Sequence, residues 1–354
     1  MATWTIQALS LALCLSSGFQ QGYIASVLNQ PYVQIQKFIN DSWKYRSGHP
    51  MGSGSLDMLW SFLNICFPIA MIFGQFLAAF LCKRIGRRYT ALLASALYIP
   101  ATLLSAASKL CFPAFELLFV GRILCSIAIL FMPWKARDPL SQVIRHGAWL
   151  GVMVKIAYVF TGARCIRAYT TFILYSMAGW SHKAALFESL MIGVARLPTT
   201  LIPVLLVDRV GRRPLLIIST TVCFISLGLM IVGIDIGPSW RVATLVGLTT
   251  VLLISACGIG SLSRFYAAEL VPRSILLQST SILTMFEALT KIGIEFAFYP
   301  LANVIHGQAL LLFLIPTAIF TILMWMCPET SKRTVNEVMN DIAKRKKLDI
   351  VIPT

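Results

Sequence analysis

Charge is what this 354-residue sequence has least of: 12% of its residues are Asp, Glu, Lys or Arg, and only 14 are acidic. A soluble domain has about 25%, so a conventional water-facing surface is excluded. The nine cysteines are scattered singly, with no Cys-x-x-Cys, and most lie in apolar runs where a thiol acts as a small hydrophobe. No disulfide framework or metal site is expected. A Gly-x-x-x-x-Gly-Lys-Ser/Thr phosphate loop is absent, which excludes the usual route to ATP. His49, His146, His182 and His306 sit in or near loops without metal-ligand spacing. Neither an enzyme nor a bound cofactor is expected. The net charge of +16 comes without a basic, aromatic-interleaved module, so no nucleic-acid partner is expected.

What the chain has instead is apolar length. Hydrophobic residues make up 57% of it, and the mean hydropathy is +0.78. They fall in runs of about 20 residues, enough for a helix to cross a hydrocarbon core of about 30 Å. About ten spans are read, near 4–28, 58–82, 90–107, 112–131, 147–178, 184–207, 215–234, 243–264, 274–299 and 309–327. The fold expected is all-α, a polytopic bundle whose partner is the lipid bilayer. The first run has no basic region before it and no small-residue cleavage site after it, so it reads as a membrane helix.

Basic residues set the orientation. The even-numbered turns and the tail hold 17 Lys and Arg against 6 in the odd-numbered turns, which places both termini in the cytoplasm. The polar loop 29–56 then faces outward, and it contains Asn40-Asp41-Ser42, a glycosylation sequon. The two signals agree. In the tail, Thr334-Val335-Asn336-Glu337 is a capping-box pattern. Val335, Val338, Met339 and Ile342 share one helical face, so a short amphipathic helix on the cytoplasmic surface is expected, with Lys344 to Lys347 either near anionic lipid or solvated.

One turn occurs twice. Val207-Asp208-Arg209-Val210-Gly211-Arg212-Arg213-Pro214 and Lys83-Arg84-Ile85-Gly86-Arg87-Arg88 each join two apolar runs. The repeat implies two related halves: 1–132, a connector 133–146, then 147–327 and a tail 328–354. These turns resemble the paired cytoplasmic signature of the major facilitator superfamily. Gly22-Tyr23, Leu59-Trp60-Ser61, Glu116 to Gly121-Arg122, Tyr169-Thr170-Thr171, Glu269 with Pro272-Arg273, and Pro328-Glu329-Thr330 with Arg333-Thr334 follow in the same order. Together they resemble a sugar porter of the facilitative glucose transporter kind.

The resemblance implies a monosaccharide carrier working by alternating access in the plasma membrane. It also implies a cytoplasmic gate drawn from Arg84, Gly86, Arg87, Arg88, Glu116, Arg122, Asp208, Arg209, Gly211, Arg212, Arg213, Glu269, Arg273, Glu329 and Arg333. Glu269 and Arg273, spaced i and i+4, are expected partners for the second turn. Residues offered to a solute are Gln20, Gln21, Asn29, Tyr158, Thr161, Arg164, Tyr169, Arg196 and Arg264.

Two departures stand out. The family has twelve helices, and the segments resembling its fifth and sixth are missing between the Gly121-Arg122 span and the span near 147–178. Secondly, positions where the family places neutral amides and a tryptophan carry Arg164, Arg196 and Arg264. Lys155, Arg167, Glu287, Lys291 and Glu295 add further charge inside apolar runs. Glu287, Lys291 and Glu295 are spaced to pair along one face. The four arginines have no evident acidic partner in the sequence. Besides the hexose carrier, two readings stay open: a non-transporting sensor or shortened inactive product, and an organic-anion carrier using these arginines as oxygen clamps.

Overall fold

In a computed structural model of the chain, residues 27–28, 31–126, 140–200, 202–272, 276–331 and 333–345 are described. Helices make up almost all of this, and there is no strand among the described residues. Five stretches among the described residues are long and apolar enough to cross a bilayer: Ser53–Gly74, Val143–Ala168, Arg212–Ile236, Arg241–Glu269 and Ile282–Met326. The first expected span lies outside the described residues.

The N-terminal group has four helices: α1 (Tyr32–Ser47), α2 (Ser53–Arg84), α3 (Gly86–Leu110) and α4 (Glu116–Ser126). α1 corrects the loop expected over 29–56. It follows Pro31 and ends at Gly48, whose φ of +76° gives a left-handed stop. Its Tyr32, Ile39 and Ser42 are buried, while Val33, Trp43 and Tyr45 are exposed beside its polar residues. α2, α3 and α4 pack on one another as a small three-helix group.

The C-terminal group begins with α5 (Leu140–Phe160) and α6 (Ala163–Ala168), continued by a helical turn at Thr170–Phe172 and a wider π-type turn at Ile173–Met177. Next come α7 (His182–Thr199), α8 (Ile202–Val210), α9 (Arg212–Ile236), α10 (Arg241–Cys257) and α11 (Ile259–Glu269). α12 (Leu276–Ile305), α13 (Leu311–Leu323) and α14 (Val335–Arg345) complete it. α9 packs closely on α10, and α5 is lined by α11, α12 and α13. The N-terminal group meets the C-terminal group mainly where α2 runs along α12.

Three of the expected single spans are broken helices. α5 stops at Gly162, whose φ is +71° and whose missing Cβ leaves room for the Phe313 ring, 2.8 Å from where that atom would stand. The Thr161 hydroxyl donates to the Tyr158 carbonyl at 2.7 Å, and the Thr317 hydroxyl to the Phe160 carbonyl at 3.0 Å. These bonds satisfy carbonyls freed by the break, which bilayer burial demands. α10 gives way to α11 at Gly258, where a Cβ would meet Ser219 at 2.2 Å. The span 184–207 divides between α7 and α8.

α14 corrects the surface-lying tail. Its capping box forms, with Glu337 N–H donating to Thr334 Oγ1 at 3.3 Å and Thr334 N–H to Glu337 Oε2 at 3.2 Å. The apolar face is not spread on lipid, however. Val338, Met339, Ile342 and Ala343 are buried in one core with Val143 and Val154 of α5.

Candidate functional site

The repeated turns use glycine for its backbone freedom. Gly86 has φ +83° and Gly211 φ +95°, a region that a side chain disfavours. Beyond that the two differ. A Cβ on Gly86 would meet nothing within 4 Å, whereas one on Gly211 would lie 3.0 Å from Glu329 Oε2. The Glu329 carboxylate accepts the backbone N–H groups of Arg212 and Arg213 at 2.9 and 3.0 Å, and those of Thr330 and Ser331 at 3.1 and 2.9 Å. It thus sits on the unfilled donors at the start of α9, where the helix dipole favours an anion.

Around this carboxylate, Arg212 Nη2 meets Glu269 Oε1 at 3.2 Å, and the Thr330 hydroxyl donates to Glu269 Oε2 at 2.5 Å. The Tyr266 hydroxyl donates to the Pro328 carbonyl at 2.6 Å. Arg213 donates to the Trp325 carbonyl at 2.6 Å, with its guanidinium over the Trp325 ring. The start of α9, the end of α11 and the 328–331 strap are therefore one knot. Of the residues expected at the cytoplasmic gate, Gly211, Arg212, Arg213, Glu269 and Glu329 meet here. Arg84 and Arg209 are exposed. Arg273 lies outside the described residues, as do the side chains of Arg87, Arg88 and Asp208.

Three gate residues are elsewhere. Glu116 starts α4, at the end of the α3–α4 pair opposite to Gly86. It pairs with Arg46 of α1, the Oε2 bond being 2.9 Å. The turn between α3 and α4 separates it from the basic end by the whole length of α3. Arg122, further along α4, is buried and donates from Nε to the Leu63 carbonyl at 3.0 Å. Arg333 pairs with Asp341 at 2.6 Å, within the tail.

Between the two ends, the intramembrane charges are gathered on α5, α6, α7 and α12. Lys155 Nζ lies 3.2 Å from Glu287 Oε2, with side chains 4% and 8% exposed. Lys291, one turn along α12, bonds the other Glu287 oxygen. Glu295 does not pair with Lys291; it faces Arg164 at 3.5 Å. Arg164, expected without a partner, therefore has one, and its guanidinium also lies 5.2 Å from the centre of the Phe67 ring of α2. The Lys155 ammonium also lies 5.9 Å from the centre of the Tyr158 ring. These groups converge on one region of the bundle. A charge at a bilayer centre costs about 2.5–3.5 kcal/mol by insertion scales, so pairing inside protein is the arrangement expected for each.

A neutral aromatic belt lies toward the Asn40 end, across the seam between the groups. Tyr299 of α12 stacks with Tyr169 at 5.6 Å and meets Trp60 of α2 at 6.4 Å. Phe172 contacts Tyr32 and Tyr299. Gln36 of α1 donates to the Tyr299 hydroxyl at 2.8 Å, and Asn303 of α12 to Asp57 of α2 at 3.0 Å. Within this belt the Trp60 indole N–H and the Tyr169 hydroxyl are buried without a hydrogen-bond partner among the described residues.

Of the residues expected to face a solute, Tyr158, Arg164 and Arg196 belong to the charged region and Tyr169 to the aromatic belt. Thr161 is buried, and its hydroxyl donates to the Tyr158 carbonyl of its own helix. Gln20, Gln21 and Asn29 lie outside the described residues, and so does the side chain of Arg264. Sequence reading passed over Tyr299 and Trp60 as site residues. Tyr299 carries no local signal, and Trp60 was legible only through the Leu59-Trp60-Ser61 resemblance.

The profile of the sugar (and other) transporter family matches residues 9–130 and 134–341. The human solute carrier family 2, facilitated glucose transporter member 9, is 35% identical over 159 residues, 43% of this chain and 29% of that protein. Mouse member 7 is 29% identical over 181 residues, 50% of this chain and 34% of that protein. The chain thus spans about a third or less of the length of these curated relatives. Among solved structures, the proton:xylose symporter XylE bound to 6-bromo-6-deoxy-D-glucose superposes with a TM-score of 0.75 at 15% identity, covering 96% of this chain and 99% of that one. The inward-open xylose transporter XylE from E. coli gives 0.73 at 16% identity, with 95% and 99% covered. The helical membrane fold is that of the major facilitator transporters, and the chain belongs to the sugar (and other) transporter family.

Proposed function

We propose that the protein moves a monosaccharide, hexoses foremost, across the plasma membrane by alternating exposure of the space between the groups 1–132 and 147–327, with both termini cytoplasmic. The observation that carries this reading is the pair of unpartnered neutral groups in the aromatic belt. A buried polar atom without a partner costs about 1–3 kcal/mol, and among the described residues the Trp60 N–H and Tyr169 hydroxyl both stand so, Trp60 edge-on to Tyr299 and Tyr169 stacked on it. A sugar hydroxyl satisfies such atoms without bringing a charge into the bilayer, and the rings supply flat faces for its C–H groups. The names of the relatives, facilitated glucose transporters and a xylose symporter, support the same class.

The test is uptake of radiolabelled D-glucose and D-fructose by the purified chain in liposomes. Saturable uptake is expected, weakened about 2- to 10-fold by Tyr169→Phe and by Trp60→Phe, each of which removes a single hydrogen-bonding group worth about 0.5–1.5 kcal/mol. Absence of hexose uptake by monodisperse protein overturns the proposal and favours the non-transporting reading.

A further inference from the structure

α1 is lightly held. Of its sixteen residues only Tyr32, Ile39 and Ser42 are buried, and elements that move are drawn from those with few buried contacts. It joins α2 through Gly48-His49-Pro50-Met51-Gly52. His49 and Pro50 are exposed there, and a Cβ on Gly48 or Gly52 would meet nothing within 4 Å.

The two ends of α1 are held by different groups. Its C-terminal end is clamped to the N-terminal group. Arg46 bonds both Glu116 oxygens, the Oε2 contact being 2.9 Å, and also the Pro113 carbonyl. Its guanidinium lies 5.4 Å from the centre of the Phe115 ring. The Phe112 ring meets Phe38 and Tyr45 at 6.2 and 5.5 Å. The first turns of α1 reach across the seam instead. The Gln36 amide donates to the Tyr299 hydroxyl at 2.8 Å, and the Tyr32 and Ser176 hydroxyl oxygens are 3.3 Å apart. The Tyr32 ring meets Phe172 edge-on at 6.1 Å and Trp60 at 6.3 Å. Under this cover Trp60 and Tyr299 are only 1% and 3% exposed.

The attachment is unequal. The clamp combines an ion pair, a carbonyl bond, ring contacts and the chain itself. Among the described residues, the hold on the C-terminal group is two hydrogen bonds and one ring edge. When the groups part at this end, the weaker hold breaks and α1 leaves with the N-terminal group. We propose that α1 is a lid over the aromatic belt, hinged at 48–52, carried by the N-terminal group and closed on the C-terminal group by Tyr32 and Gln36. Its role as guard of a solute path rests on the monosaccharide reading, whereas its motion does not.

Hydroxyl-radical footprinting of the purified full chain in detergent reads the lid, with oxidation of each side chain quantified by mass spectrometry. Gln36→Ala and Tyr299→Phe remove the same bond from opposite sides. In each, oxidation of Trp60 is expected to rise about 2- to 10-fold, the effect of one hydrogen bond on an open–closed equilibrium. Adding Gln36→Ala to Tyr299→Phe is expected to change nothing further. Phe115, under the clamp, and Tyr266, in the other core, are expected to keep their wild-type oxidation in these variants, whereas Arg46→Ala raises that of Phe115. Unchanged Trp60 oxidation in whichever variant folds, additive effects in the double variant, or a rise at Phe115 or Tyr266 alongside Trp60 overturns the lid. Collapse of both single variants also overturns it, since a latch is dispensable for folding. No solute enters this readout, so absence of hexose uptake leaves the lid standing, and a fixed α1 leaves the sugar test untouched.

Discussion

Gly211 shows how one position can serve two constraints at once. Its φ of +95° excludes an ordinary side chain, and the Glu329 carboxylate fills the space where a Cβ would project. Gly211→Ala is therefore expected to destabilise the protein through both positive-φ backbone strain of about 1–3 kcal/mol and displacement of Glu329. Gly86→Ala meets the strain alone. Thermal melting of the two variants in detergent separates the effects, with the larger drop at Gly211. A similar asymmetry governs Glu287, the shared counterion of Lys155 and Lys291. Glu287→Gln leaves two buried ammonium groups without their acid, a loss of about 3–5 kcal/mol. Collapse of the monodisperse peak in size-exclusion chromatography is the expected sign. The glycine was readable from the repeated turn, and Lys291 with Glu287 from their spacing on one helix. The Glu329 contact was not readable, because the carboxylate lies 117 positions from the Arg212 N–H it accepts. The Arg164–Glu295 pair likewise joins helices that only the fold brings together.

At the scale of elements, apolar length made the spans readable and their interruptions nearly invisible. Gly162 and Gly258 sit within membrane-length runs that no proline interrupts, and only the fold shows that Phe313 and Ser219 occupy the space their side chains would need. α1 was missed for the opposite reason. It is a mostly polar helix, whose buried Ile39 and Ser42 gave too sparse a pattern to outweigh its loop-like composition. α14 was readable from its capping box, but its docking surface was not, since amphipathicity does not say whether lipid or protein covers the apolar face. The helix is tied to α5 by Val338, Met339 and Ile342. Met339→Asp places a carboxylate in that core and is expected to lower stability by at least about 2 kcal/mol, read as a fall in melting temperature. Asn340→Asp, on the same helix but outside that buried set, is the control expected to change little.

Across the whole molecule, the belt between α1–α2 and α12 joins the two groups at the Asn40 end, while the carboxylate knot orders the opposite end of the C-terminal group alone. The orientation that follows from the basic turns is testable through Asn40. It lies on α1, its Oδ1 accepting the Met51 N–H at 2.9 Å, while Ser42 is fully buried. Modification there must precede the docking of α1. Expression in a glycosylating cell should give a band that shifts with peptide N-glycosidase and disappears in Asn40→Gln. An unshifted wild-type band goes against the outward placement of α1.

The cation-rich region has an electrical consequence. Lys155, Arg164, Arg167 and Lys291 lie with Glu287 and Glu295 on helices long and apolar enough to cross a bilayer, and Arg196 falls in the span expected over 184–207. Moving one elementary charge through a membrane potential is worth about 2.3 kcal/mol per 100 mV. Any rearrangement that shifts Arg167 and Arg196 along the bilayer normal is thus coupled to voltage, even when the solute is neutral. In liposomes clamped with potassium and valinomycin, uptake should change with the imposed potential, and the dependence should shrink when Arg196 is replaced by Gln.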